Sequence, residues 1–346
     1  MNRHSADQAL HALLREGRSR ASVIGDDHTA LWDALERATS GGKRFRPALL
    51  QAIHDGLGGS RPEAAARVGA AIELLHSAFI VHDDVIDGDD IRRGQVNVSG
   101  TFRQRALRSG VDDEGAHTYA VTAGILAGDL AIAASLRAVA TCAAPPDVVS
   151  TLLDLFDEAL HTTAAGELAD VRLSLATSAT LAESLQMAEH KTSAYSFVLP
   201  MRAGGVLAGA SPDLCERLAE AGRHMGMAFQ LLDDVIGVFG DPARTGKSAT
   251  GDLRTHKQTP LLAHAQSTAQ WESIAPFVGR EVTSDELNHV RQLLTESGSR
   301  EFVEGLAASQ VDAARLAVAA LGLDPEMFRL ALPPMADLVP SGGEAT

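Results

Sequence analysis

Two aspartate clusters carry the most chemistry in this 346-residue chain: HDDVID, His82 to Asp87, and LLDD, Leu231 to Asp234. Each closes an apolar run with helical periodicity, and each is followed by basic and glycine-rich sequence. His76, Phe79, Ile80, Asp83 and Asp87 succeed one another at three- or four-residue spacing, so a helix places them on one face. Asp83 and Asp87 are then one turn apart, close enough to hold one or two cations together. All-oxygen ligands suit Mg²⁺, which binds through a few carboxylates and takes phosphate and water for the rest. The plainer reading is a solvated acidic helix end. Carboxylates oppose the dipole at a helix C-terminus, and these follow the apolar run AFIV, so metal binding is favoured. Two such clusters facing each other across a cavity, sharing hard cations, would hold a diphosphate.

The second cluster is thinner. Asp233 and Asp234 are followed one turn on by Gly237 instead of a third acid. Its support is the segment GDPARTGKSATGDLRTHK, which carries Asp241, Arg244, Lys247, Asp252, Arg254 and Lys257. Lysines among glycines suit a phosphate clamp, against the alternative of a basic surface loop. Near the start, GGKRFRP sets Lys43 and Arg46 three apart, on one face of a helix that opens after Gly41-Gly42. A helix N-terminus attracts anions. Arg92-Arg93-Gly94 adds two cations just past the first aspartates, and Lys191-Thr192 reads as the close of a further helix.

The elements that must position these residues read as helices. Aromatics make up only 4% of the chain while Ala and Leu abound, which favours helix over strand. Three- and four-residue apolar spacing predicts helices near 29–39, 43–57, 62–88, 118–142, 146–174, 180–192, 194–208, 212–239, 284–297 and 299–321. Two long segments, 92–117 and 240–257, read as irregular, and long loops in a compact helical protein are often functional. No linker or repeat marks a boundary, so 1–346 reads as a single domain, with 1–28 an N-terminal helical extension and 333–346 a flexible tail. The apolar stretch from Tyr119 to Ala144 is broken by Asp129 and Arg137 and reads as a buried bundle helix, not a membrane span. Cys142 and Cys215 show no metal or disulfide spacing and read as core hydrophobes in a reducing compartment. With no secretory h-region at the N-terminus, the expected location is cytoplasmic. The net charge of −15 argues against nucleic acid as a partner. It also repels an anionic ligand at long range, so bound cations and a local basic cluster must reverse the field.

The order GGKRFRP, ELLHSAFIVHDDVIDGDDIRRG, HKT and FQLLDDVIGVFGDPARTGK resembles the trans-isoprenyl diphosphate synthases, or polyprenyl synthetases. The likeness covers roughly residues 40–260 and is greatest to bacterial, actinobacterial-type geranylgeranyl diphosphate synthases. It implies an all-α isoprenoid-synthase bundle of about ten or more helices around a deep central cavity, in a homodimer. The implied reaction joins an allylic diphosphate (dimethylallyl, geranyl or farnesyl) head-to-tail to isopentenyl diphosphate and releases pyrophosphate. By motif, Asp83 and Asp87, with Asp84 beside them, would hold two Mg²⁺, and Asp233, aided by Asp234, a third; Mn²⁺ is an admissible substitute. Arg92, Lys191, Lys247 and Lys257 would grip the allylic diphosphate. Lys43, Arg46, His76 and Arg93 would bind isopentenyl diphosphate, and Thr192 and Gln230 would turn oxygen dipoles to the allylic cation.

The same resemblance implies a gauge of product length. The growing tail would run back from Asp83 along its helix at about 1.5 Å per residue. Family members that stop at fifteen carbons carry an aromatic at the fifth position before this aspartate, where this chain has Ala78. Alanine leaves room for another isoprene unit, with Phe79 and Leu75 as the floor, so geranylgeranyl diphosphate is the expected product and farnesyl or longer products the alternatives. Three departures stand out: Gly237; Glu167, before Asp170, where many members have glutamine; and QVNVSG after RRG, which lacks the usual proline. Arg103, Arg105 and Arg108 read as surface cations. The rivals are a class I terpene cyclase, a non-catalytic subunit of a heteromeric synthase, and a di-iron site built from Glu73-x-x-His76 and Glu158-x-x-His161.

Overall fold

Apolar periodicity is converted almost wholly into helix in the computed structural model, which describes residues 3–176, 178–241 and 249–331. The protein is all-α. The chain falls into two compact units, one of residues 1–156 and 203–211, the other of residues 157–202 and 212–346.

In the first unit, α1 (Arg3–Ile24) buries Leu10, Leu13, Leu14 and Ala21. It meets α2 (Asp26–Ala38) so closely at Gly17 that an added Cβ would lie 2.2 Å from the Trp32 ring. α3 (Phe45–Gly56) and α4 (Pro62–Asp87) follow, α4 opening on a proline at its first turn and closing on Gly88 at φ 70°. A proline there forfeits no hydrogen bond, and glycine tolerates the left-handed cap. α6 (Asp113–Ala140) lies against α4 through a stripe of small residues, Ala120, Ala123, Gly124, Ala127, Gly128 and Ala131. Between the two helices the Ser135 hydroxyl donates to the Ala71 carbonyl at 2.8 Å.

The segment expected to be irregular, 92–117, is ordered instead. A hairpin of β1 (Ile91–Arg92) and β2 (Gln95–Val96) leads into α5 (Val98–Arg108). The Asn97 side chain caps α5 by accepting from the Gly100 amide at 2.8 Å, and Val98, Phe102 and Ala106 are its buried face. α6 also departs from expectation. One side is core, but Ile125 and Leu126 are 45% and 49% exposed, so it is not a wholly buried helix. By length and composition α4 and α6 could each cross a membrane, yet most of the apolar window of α4 is buried within the protein.

The second unit starts within α7 (Pro146–Ser174), and α8 (Leu181–Ala188) opens on a capping box between Thr180 and Glu183. α8 then runs without a break through a π-helical stretch, Glu189–Val198, into α9 (Leu199–Ala208). The expected break after residue 192 is therefore absent. α10 (Pro212–Phe239) packs along α15 (Ser299–Ala319) over a core of Leu231, Val235, Val238, Leu294, Val303 and Ala307. Between them lie α11 (Gly251–Arg254), α12 (Pro260–Gln266), α13 (Trp271–Ile274) and α14 (Ser284–Glu296), with Trp271 packed against the same core. The described part of the expected 240–257 loop thus contains a helical turn. Lys247 and the tail from 333 lie outside the described residues.

Candidate functional site

The C-terminal half of α4 sorts its side chains by face. Leu74, Leu75, Ala78, Val81 and Asp84 are buried, while His76, Phe79, Ile80 and Asp83 keep partial exposure and Asp87 is exposed. The stripe anticipated from spacing is thus the accessible side of this helix. Of the three residues expected to gauge length, Leu75 and Ala78 are fully buried and Phe79 keeps some surface. His82 belongs to packing: its ring sits where a Cβ on Gly128 would be, and its Nε2 lies 3.2 Å from the Ile125 carbonyl.

After Gly88 the hairpin folds cations back onto the carboxylates. Its two-residue loop is Arg93-Gly94, with φ of 52° and 71°, and Arg92 pairs with Gln95 across it. Positive φ at both loop positions matches the twist of the flanking strands. Arg92 then clasps both aspartates, Nε to Asp84 at 2.5 Å and Nη2 to Asp83 at 2.8 Å. Burial pushes the Asp84 carboxyl up to about 6, with the Arg92 charge opposing. The loop is held from behind by Arg103, which reaches Asp90 at 2.7 Å and Asp113 at 3.0 Å. Arg105 and Arg108 are exposed, as expected of surface cations, and Arg105 makes a surface ion pair with Asp27 at 2.6 Å.

Arg93 passes over Gly42, with Nη1 3.7 Å from where a Cβ would sit. Arg46 is 6% exposed and lies over the Phe45 ring at 4.5 Å. Lys43 is exposed and precedes α3, which starts only at Phe45, so Lys43 and Arg46 do not share a helix face. The residue between them, Arg44, adopts φ 51° and binds the buried Glu73 at 2.8 Å. The sequence reading passed over it. Its long-range partner, Glu73, lies in the next helix, and no local spacing signals that pair. Burial, then the charges of Arg46, Arg93, Arg44 and Arg92, hold the His76 imidazole well below its ordinary pKa. A neutral, half-buried imidazole near four guanidinium groups, of which Arg44 and Arg92 are already paired with carboxylates, suits the binding of an anion.

In the second unit, Lys191 and Thr192 lie inside the π-helical stretch, not at a helix end. The stretch is seated on glycines. A Cβ on Gly166 would come within 2.3 Å of the Lys191 nitrogen, one on Gly226 within 2.4 Å of Ser193, and one on Gly222 within 3.0 Å of Val198. π-turns are rare, and occur often at functional sites. Lys191 Nζ is held by Asp170 at 2.6 Å and Glu167 at 2.9 Å, which makes Glu167 a partner of the lysine and not a surface acid. The Thr192 hydroxyl donates to Gln230 Oε1 at 2.8 Å, and Gln230 Nε2 donates to Asp234 Oδ1 at 2.9 Å. Asp233, beside Asp234, is half-buried on α10, and Lys257 is half-buried in the chain after α11. Asp234 is 4% exposed, and among the described residues its Oδ2 has no hydrogen-bond partner. Burial, then the charge of Asp252, holds its carboxyl well above the ordinary range.

These carboxylates fit a hard divalent cation. Among the described residues no three acidic, histidine or cysteine side chains converge into a complete cage. Mg²⁺ asks for one or two carboxylates, with phosphate oxygens and water completing its shell. A buried carboxylate with an unpartnered oxygen, as at Asp234, gains from a cation what burial costs it. The di-iron alternative does not fit. Glu73 is bound to Arg44, Glu158 to Arg202 at 2.6 Å, and His161 is 82% exposed.

Comparison with known proteins agrees with this chemistry. The sequence profile of the polyprenyl synthetase family matches residues 28–295. The geranylfarnesyl diphosphate synthase of Aeropyrum pernix is 30% identical over 286 residues, covering 82% of this chain and 84% of its own. The (2E,6E)-farnesyl diphosphate synthase of Mycobacterium tuberculosis is 32% identical over 291 residues, covering 82% and 75%. The crystal structure of geranylgeranyl pyrophosphate synthase from Corynebacterium glutamicum, complexed with isoprenyl diphosphate and magnesium, superposes with a TM-score of 0.86 at 25% identity over 96% of each chain. These proteins are named for three different products, and the family profile spans residues 28–295 of this chain: the chain belongs to the polyprenyl synthetase family.

Proposed function

We propose that the protein is a Mg²⁺-dependent prenyltransferase that condenses isopentenyl diphosphate with allylic diphosphates to give geranylgeranyl diphosphate and pyrophosphate. The observation that carries this reading is the accessible stripe of α4, where carboxylates at Asp83 and Asp87 stand beside a neutral His76 ringed by arginines. One end of the stripe suits cations and the other an unshielded anion, the two demands a pair of diphosphates makes.

In this reading Asp83 and Asp87 hold two cations with Asp84 in support, and Asp233 with Asp234 holds a third. Bound there, they neutralise the charge that develops on departing pyrophosphate. The chain's own groups do the rest. Lys191, Lys257 and the remaining Nη1 of Arg92 hold the allylic diphosphate, and Lys247 is assigned with them from its motif. Arg46, Arg93 and Lys43 hold isopentenyl diphosphate, with His76 donating a hydrogen bond at no cost in charge. The allylic carbon–oxygen bond breaks with its electron pair leaving on pyrophosphate. The oxygens of Thr192 and Gln230 face the allylic cation, and the isopentenyl double bond forms the new carbon–carbon bond. The proton then lost from the isopentenyl unit goes to pyrophosphate, since no side chain is assigned as base. Such catalysis is positioning and electrostatics.

Ala78 before Asp83 supports the twenty-carbon product, and the uncovered Ile125 and Leu126 on α6 support a homodimer. The paucity of cysteine supports a cytoplasmic setting. The test is incubation with labelled isopentenyl diphosphate, Mg²⁺ and, in turn, dimethylallyl, geranyl and farnesyl diphosphate. Geranylgeranyl diphosphate is expected from all three primers. Absence of elongation overturns the reading, a hydrocarbon product installs a cyclase, and a fifteen- or twenty-five-carbon product moves the length gauge.

A further inference from the structure

The turn that carries Lys43 into α3 has a backbone that is costly to hold. Gly41 and Gly42 take φ of 78° and 79°, which glycine does freely, but Arg44 takes φ 51° against its own side chain. Arg44 is also where α3 springs from: its carbonyl accepts from the Ala48 amide at 3.3 Å, and Arg46 lies in the turn so formed. What fixes Arg44 is its guanidinium. Nη1 donates to Glu73 Oε1 of α4 at 2.8 Å, Nη2 donates to the Thr39 carbonyl at the end of α2, and Nε lies 3.4 Å from Asp7 Oδ1 of α1. Each nitrogen is engaged by a different element, so Arg44, unlike Arg92, has none left over for a ligand. Glu73 is 5% exposed, and among the described residues its Oε2 has no hydrogen-bond partner, so Arg44 is what compensates this buried carboxylate. Glu73 also stands one turn before His76 on the same helix. The pair thus ties the Lys43 turn to the part of α4 that carries His76.

We propose that Arg44 and Glu73 are positioning residues for isopentenyl diphosphate: their ion pair fixes the left-handed turn that sets Lys43 and Arg46 in place, without itself touching the substrate. This rests on the function proposed above. The measurement is calorimetric binding of isopentenyl diphosphate to the full chain without Mg²⁺, with the melting temperature and the KM of each substrate in the elongation assay recorded alongside. Glu73→Gln keeps an oxygen for Arg44 but removes the charge, and Arg44→Lys keeps a charge for Glu73 but cannot fork to three partners. Each should weaken isopentenyl diphosphate binding by roughly 10–100-fold, as groups displaced by about 1 Å lose their hold, while KM for the allylic primer stays within about twofold. Arg44→Gly combined with Glu73→Gln separates folding from affinity. It removes both charges together, and glycine takes φ 51° without strain, so it should melt near wild type and still bind isopentenyl diphosphate weakly.

Wild-type affinity for isopentenyl diphosphate in either single variant overturns the proposal. So does an equal rise in KM for the allylic primer, which marks a general loosening of the fold. A wild-type chain that binds isopentenyl diphosphate but elongates nothing overturns the function and leaves the positioning pair standing.

Discussion

Asp84 is buried beneath Arg92 with its carboxyl raised to about 6, whereas Asp83, one residue earlier, stays accessible. The sign of its contribution to stability follows. A carboxyl whose folded pKa exceeds its ordinary 3.8 contributes stability fully present below about pH 4 and lost as pH rises through about 6. Measured without added cation, the melting temperature of Asp84→Asn relative to wild type should climb between pH 4 and 6 and level off above. A flat difference would show that the burial of Asp84 is not felt as charge. His76 works in the opposite sense. Its folded pKa lies well below 6.5, so its contribution is present above pH 6.5 and lost as pH falls further. His76→Gln should therefore gain on wild type in acid, and loss of ground there would contradict a neutral imidazole. Residues with local partners were legible in the sequence: Asp83, Asp87 and His76 share a helix face by spacing alone. Arg44 and Glu167 were not, because each acts on a partner in a different helix.

At the scale of elements, the π-helical stretch and its glycines decide where Lys191 and Thr192 stand. Gly166→Ala would drive a methyl group into the backbone at Lys191. Such overpacking should cost about 1–3 kcal/mol of stability and raise KM for the allylic primer, as Lys191 shifts from Asp170 and Glu167. Unchanged melting and KM would mean the stretch yields freely. On the proposed function the length gauge belongs to α4, and Ala78→Phe should shift the product towards fifteen carbons, read by chromatography of the labelled lipids. Since Ala78 is fully buried, a fall in melting temperature is also expected, and an unchanged product would place the gauge elsewhere. Helices with long apolar periods, such as 62–88 and 299–321, were plain in the sequence. α5 was not. Its three buried apolar positions, Val98, Phe102 and Ala106, are four apart among arginines, and its start depends on one asparagine cap. The π-turn escaped for a related reason: helical periodicity reports that a segment coils but not how tightly, and the close glycines come from other helices.

The whole molecule carries a net charge of −15, so the diphosphate binding proposed above calls for bound cations to offset it. Mg²⁺ and pyrophosphate together should raise the melting temperature far more than either alone, with a stabilisation of about 2.7 kcal/mol at a hundredfold excess over the dissociation constant. Equal shifts from pyrophosphate alone would remove the cation from the account. The chain contains only two tryptophans, and the fold gives one to each compact unit, Trp32 under Gly17 in the first and Trp271 against the α10–α15 core in the second. Each unit thus has its own intrinsic fluorophore. Replacing either indole by phenylalanine leaves a single emitter, and its quenching or red shift during denaturation reports when one half of the protein opens, without any attached dye.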